Sequence, residues 1–269
     1  MQHITRASRV FLLVGAFCAS TGGAVAQTAD ELWQGLAKDI FQSRAMTSGR
    51  EVISLQAPAD AKDAALVPMT INLEKPATVV RNVTLVIDAN PAPMAAKFTI
   101  GANSGLTMIS TRVRVNDYTN VHAVAETTDG SLHMTMRHVN GAGGCAAPSV
   151  KSMDEALANL GQIRYREIPA GDLASANRRE GQIMIRHPNA SGMQMNQRTN
   201  SYIPARYIDQ VIVKQGDDLL FRMDGGISIS EDPNFRFTFV PNGAKALSIE
   251  AHDSDGKSFR LLAPLGNAS

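Results

Sequence analysis

Cys145 stands in Val139-Asn-Gly-Ala-Gly-Gly-Cys-Ala-Ala-Pro148, a run of small residues in a chain with two cysteines in all. A thiolate is a nucleophile toward sulfur and carbon, and a free cysteine ionises near about pH 8.5. No acidic residue lies between Val139 and Val150 to oppose ionisation. The nearest basic candidates are Arg137 and His138, which alternate on a strand and so face opposite ways. Gly141, Gly143 and Gly144 weaken any regular element and bring no side chains to cover a sulfur. Cys145 is therefore expected to be solvent-accessible on a flexible arm, reaching about 15 Å when stretched from Gly141. Pro148 limits where such an arm turns back.

The compartment sharpens this reading. Arg6 and Arg9 precede an apolar run from Val10 to Ala19, and Ala24-Val-Ala26 is a small-residue cleavage site. Residues 1–26 read as a secretory signal, too short for a permanent membrane anchor. The expected location is the periplasm. Removing the leader takes Cys18 away and leaves Cys145 as the sole thiol. An exported protein normally pairs its cysteines, so an odd one points to intermolecular bonding or reactivity. The leader carries Arg6 and Arg9 and no acid, so its loss turns the net charge of +1 into about −1. That balance gives no support for nucleic-acid binding.

Other constellations are weaker. His133-Met-Thr-Met-Arg-His138 offers soft ligands that suit copper, and alternation puts Met134, Met136 and His138 on one face. A periplasmic copper chaperone or binding module is the rival function; the competing expectation is that these methionines fill a sandwich core. His187, before Pro188, is a further isolated candidate ligand. There is no Ser-His-Asp framework, phosphate loop or zinc spacing. A nucleophile on a mobile arm is poorly preorganised for catalysis, so the chain is expected to be a non-catalytic carrier with no cofactor beyond a covalent sulfur adduct on Cys145.

The elements that must position Cys145 are mostly strands. A short helix capped by Asp30 carries the apolar stripe Leu32, Trp33, Leu36, Ile40 and Phe41. Alternating segments follow near Val67–Leu73, Asn82–Ile87, Ala95–Ile100, Met108–Val115, Val121–Glu126 and Leu132–Val139. Glu126-Thr-Thr-Asp-Gly-Ser-Leu132 is a hairpin signal. The pattern fades between Ala146 and Arg179, apart from a short helix at Asp154–Leu160 and a polar loop at Gly171–Arg179. It returns at Gln182–Arg186, Tyr207–Lys214, Leu219–Met223, Phe235–Val240, Leu247–His252 and Ser258–Leu262. Two β-sandwiches, joined by a linker over 146–180, are predicted.

These residues carry a family resemblance. Ile87-Asp-Ala-Asn-Pro-Ala-Pro-Met-Ala-Ala-Lys-Phe98, Ser110-Thr-Arg-Val-Arg-Val115, Thr119-Asn-Val-His-Ala-Val-Ala-Glu-Thr-Thr-Asp-Gly130 and Gly143-Gly-Cys145 resemble SoxY. Arg186-His-Pro-Asn-Ala-Ser-Gly192, Tyr202-Ile-Pro-Ala-Arg-Tyr-Ile-Asp209 and Gly225-Gly-Ile-Ser-Ile-Ser-Glu-Asp-Pro-Asn-Phe-Arg-Phe237 resemble SoxZ. The chain is most similar to fused SoxYZ-like carriers that accompany quinoprotein dehydrogenases.

The resemblance implies an all-β chain of two immunoglobulin-like β-sandwich domains, a SoxY-like one over 27–145 and a SoxZ-like one over 181–269, packed through an internal interface. It implies that Cys145 carries sulfur intermediates of the thiosulfate-oxidation type, with Gly141, Gly143 and Gly144 as its flexible arm and His187 as a structural motif residue. Partners implied are periplasmic redox or sulfur-processing enzymes, with a quinoprotein dehydrogenase and c-type cytochromes among them; no nucleic acid and no membrane anchor are expected. Two features depart from the family pattern. SoxY ends in Gly-Gly-Cys-Gly-Gly, whereas Ala146-Ala-Pro148 follow here and the chain continues. The SoxZ-like half has Asn189-Ala-Ser191 where the family usually has a Met-Glu-Thr stretch.

Overall fold

The computed structural model describes residues 28–149, 153–169 and 177–266. The expected leader and most of the polar loop Gly171–Arg179 lie outside them. The first half comprises α1 (Ala29–Phe41), β1 (Met46–Ser48), β2 (Ile53–Gln56), β3 (Val67–Leu73), β4 (Val80–Ile87), β5 (Met94–Ile100), β6 (Met108–Val113), β7 (Thr119–Thr127) and β8 (Leu132–Val139). Then come α2 (Met153–Ala158), β9 (Ile163–Ile168), β10 (Arg179–Ile185), β11 (Met195–Asn196), β12 (Ser201–Tyr202), β13 (Ile208–Gln215), β14 (Asp218–Gly225), β15 (Asn234–Phe239), β16 (Ala246–Asp253) and β17 (Ser258–Pro264). Within the stretch 146–180, expected as linker, α2 and β9 are ordered, and β9 pairs antiparallel with β10.

The two halves share their sheets. One nine-stranded sheet runs β1-β8-β7-β4-β5-β14-β13-β16-β17, and a six-stranded sheet runs β2-β3-β6-β15-β10-β9. The joins are antiparallel: β5 to β14, with Phe98 opposite Met223, and β6 to β15, with Ile109 opposite Phe237. Unpaired strand edges invite association, and here each half closes an edge of the other in both layers. The alternating inward positions of both sheets form one core. Phe98, Phe221, Phe235, Phe237 and Phe239 are fully buried in it. Phe98 from the first half lies edge-on to Phe221 and Phe235 from the second, with centroids 6.4 and 6.5 Å apart. The internal interface is thus a continuous hydrophobic core with backbone pairing in two layers.

Helix α1 covers the opposite face of the nine-stranded sheet. Trp33, Leu36, Ile40 and Phe41 pack with Val86, Val124 and Leu132 there, so the expected apolar stripe is used. Its cap is Thr28, not Asp30. The Thr28 hydroxyl accepts from the Glu31 amide (3.3 Å), and the Glu31 carboxylate accepts from the Thr28 amide (2.9 Å). That reciprocal pairing satisfies two orphan donors at once, which Asp30, already inside the first turn, does not.

Candidate functional site

Cys145 lies just past the end of β8, where the two halves meet. It is fully buried, which corrects the expectation of an accessible thiol. The glycines explain how. Gly144 donates its amide to the Val115 carbonyl (3.0 Å), and a Cβ on Gly144 would sit 2.1 Å from the Ala64 carbonyl oxygen. Only a residue without a side chain lets the backbone press this close. Gly143, at φ +72° with open space around it, supplies the left-handed step of a turn closed by the Ala146 amide on the Gly143 carbonyl (3.1 Å). Gly141 is buried against Val115 and Ala61. The glycines lack side chains to cover a sulfur, yet they let the turn sink until other parts of the protein cover it.

The second half supplies much of that cover. Ser191 donates its hydroxyl to the Cys145 carbonyl (2.5 Å), and the Gln194 side-chain amide donates to the Ala147 carbonyl (3.0 Å). Both departures from the family pattern meet here: the residues after the cysteine are held by the segment that begins at Asn189. Asn189 is buried, at φ +41°, and is fixed by His187, whose Nδ1 accepts its amide hydrogen (3.0 Å). His187 is itself buried, with Nε2 3.5 Å from Asp253, and burial pushes its pKa below the ordinary value. His187 thus acts as a scaffold for the loop.

Arg114 ties the halves together at this point. It is 1% exposed. Nη1 donates to the Gly144 carbonyl and Nη2 to the Asn189 carbonyl, both at 3.2 Å. Its Nε has no hydrogen-bond partner among the described residues. Burial lowers the guanidinium's pKa, and the carboxylates of Glu231 and Asp63 oppose that shift; a guanidinium stays cationic in a protein. Burial in turn raises the Cys145 thiol, with Arg114 pulling the other way. The docked sulfur is therefore a shielded, neutral thiol with a permanent cation nearby.

Arg137 and His138 do not assist it. Arg137 donates to the Met136 carbonyl and His138 pairs with Asn120, both on the exposed run of β8. Arg114 stands in the Ser110–Val115 block, but a charged residue just past a strand carries no mark of burial in sequence. Among the described residues, no group of three or more His, Cys, Asp or Glu side chains is placed to hold a metal ion, and no helix is long and apolar enough to cross a membrane.

Two family models match the chain in succession: sulfur oxidation protein SoxY over residues 37–145, ending on the cysteine, and sulphur oxidation protein SoxZ over residues 170–263. The chain belongs to the SoxYZ family, as a fusion. Its SoxY half contributes the cysteine turn and its SoxZ half the loop that holds it. The joined sheets are the SoxY–SoxZ interface made within one polypeptide, and the family membership indicates a carrier or adaptor role in sulfur oxidation. No curated protein matches the chain. Among solved structures, the chain is similar to superoxide reductase (neelaredoxin) from Ignicoccus hospitalis, at 10% identity and TM-score 0.30, over 33% of this chain and 79% of that one. A single-site variant of that protein gives 9% identity and TM-score 0.32, over 38% and 96%.

Proposed function

We propose that this SoxYZ fusion is a periplasmic carrier that binds a sulfur-containing intermediate covalently through Cys145 and alternates between the docked turn described above and an open one. The observation that carries the reading is the position of Cys145. It closes the SoxY match and is held mainly by hydrogen bonds to backbone carbonyls, which water replaces on opening. The docking bonds are Gly143 to Asn116, Gly144 to Val115, Arg114 to Gly144, Ser191 to Cys145 and Gln194 to Ala147. At about 1 kcal/mol net for each, opening costs roughly 5 kcal/mol, an open fraction on the order of 10⁻³ to 10⁻⁴. That is rare enough to protect the sulfur and frequent enough to serve a partner.

Once open, the thiol leaves its low-dielectric site, ionises more readily and becomes the nucleophile. Joining the thiolate to the terminal sulfur of an anion such as thiosulfate forms one S–S bond and releases two electrons. Loading therefore requires a redox partner to accept them, the role a c-type cytochrome or quinoprotein dehydrogenase system would fill. Arg114 suits an anionic cargo that returns to the docked state. The test is the intact mass of protein isolated from its native host: a covalent sulfur adduct on the peptide containing Cys145, absent in Cys145→Ser, is expected. Unmodified Cys145 throughout active sulfur metabolism would refute the carrier role.

A further inference from the structure

The outer face of the nine-stranded sheet holds a second arrangement that carrier chemistry does not use. His122, on β7, is buried, and its Nδ1 lies 2.9 Å from an Asp88 carboxylate oxygen. A carboxylate accepts only, so Nδ1 carries the hydrogen, and the lone pair of a neutral ring is then at Nε2. A carboxylate behind one ring nitrogen orients a histidine to bind a metal through the other. Directly across the strand pair, His122 stands opposite Met136, and Val124 opposite Met134. Cross-strand partners share a face, so Met136 stands directly across from His122 and Met134 one diagonal step away on the same face. The methionines do not fill the sandwich core, which corrects the expectation: Met136 is 42% exposed, and Met134 packs at the margin of the cluster under α1. Trp33 of α1 stacks on the His122 ring, 3.7 Å between centroids and 14° from parallel.

We infer that His122, Met134 and Met136 form a binding site for a thiophilic monovalent cation, copper(I), closed on one side by the Trp33 ring. Two thioethers and one imidazole are a soft, low-coordination donor set, suited to copper(I) and poor for hard cations. Asp88 balances the added charge through the imidazole, and the indole face favours a nearby cation. Cys145 is not part of the site, so metal binding and sulfur carriage are separable.

Trp33 is the only tryptophan in the chain, so its emission reports on this site alone. The test uses the full chain with Cys18→Ser and Cys145→Ser, removing both thiols, titrated anaerobically with copper(I) against a chromophoric copper(I) chelator. One equivalent should bind with loss of Trp33 emission. Met136→Leu and Met134→Leu should each weaken binding at least tenfold, with circular dichroism unchanged. Met94→Leu, on β5 and opposite Val86, should bind like the parent. Failure to hold copper(I) against the chelator, binding that leaves Trp33 emission unchanged, or equal affinity after Met136→Leu would overturn the inference.

Discussion

β8 is flanked by two glycine turns that look alike in sequence and do opposite work. Before it, Thr127-Thr-Asp-Gly-Ser131 closes the β7–β8 hairpin; Gly130 has φ +88° and nothing near its missing side chain. After it, the 141–145 turn holds Gly144, whose absent Cβ is the space the Ala64 carbonyl occupies. The hairpin glycine serves its own backbone angle. Gly144 serves an approach to a distant part of the chain, and that approach buries Cys145. Glycine composition therefore reports possible closeness as well as possible motion.

The comparison is sharpest at the two glycines themselves. Gly144→Ala places a Cβ against two backbone carbonyls that cannot yield, so the turn should undock. Iodoacetamide should then modify Cys145 on the order of 10³-fold faster, if docking contributes the roughly 5 kcal/mol given above. Gly130→Ala should cost only about 1 kcal/mol of stability and leave the Cys145 rate unchanged. Equal effects at Cys145 would erase the distinction. Arg114→Met removes the donor to the Gly144 and Asn189 carbonyls, leaving both buried and unpaired. A loss of about 2–3 kcal/mol in denaturant unfolding is expected, and an unchanged midpoint would mean water replaces the guanidinium. Ser191→Ala should cost about 1 kcal/mol, raise Cys145 alkylation about fivefold and lower the thermal midpoint by only about 2–4 °C.

The remaining effect is pH-dependent and concerns the scaffold behind Asn189. Burial holds His187 below its ordinary value, 6.5. The folded chain keeps the ring neutral, while the unfolded chain protonates it as pH falls through that value. His187 thus adds a stability term that is complete above about pH 6.5 and declines below it, until the pH reaches the lowered folded pKa. The limiting slope is about 1.4 kcal/mol per pH unit. His187→Gln should flatten that part of the pH–stability curve; an unaltered slope would assign the acid sensitivity elsewhere.

Much of the scaffold is legible in the sequence. β3 and β8 have the expected bounds because alternation and turn residues mark both ends. β9 escaped because an edge strand with Arg164, Arg166 and Glu167 looks like a polar connector. β1 and β2 are too short to show a period. The cysteine and its glycines were visible as a site, but the burial of Cys145 depends on Arg114 and Ser191, 31 and 46 residues away, the latter in the other half. The stack of Trp33 on His122 joins positions 89 apart, and no local pattern announces it. Local sequence reports which residues can react; long-range docking decides when they do.

The most direct measurement is the alkylation rate of Cys145 in the native chain across low, non-unfolding urea concentrations, read by mass on the peptide that contains it. A carrier thiol in a docked turn should react on the order of 10³-fold slower than in the unfolded chain. It should still react to completion at a rate nearly independent of urea, since opening the turn exposes little surface. A native rate equal to the unfolded one would contradict the docked state. A rate that rises with urea as steeply as global unfolding does would make Cys145 a structural thiol and end the carrier account.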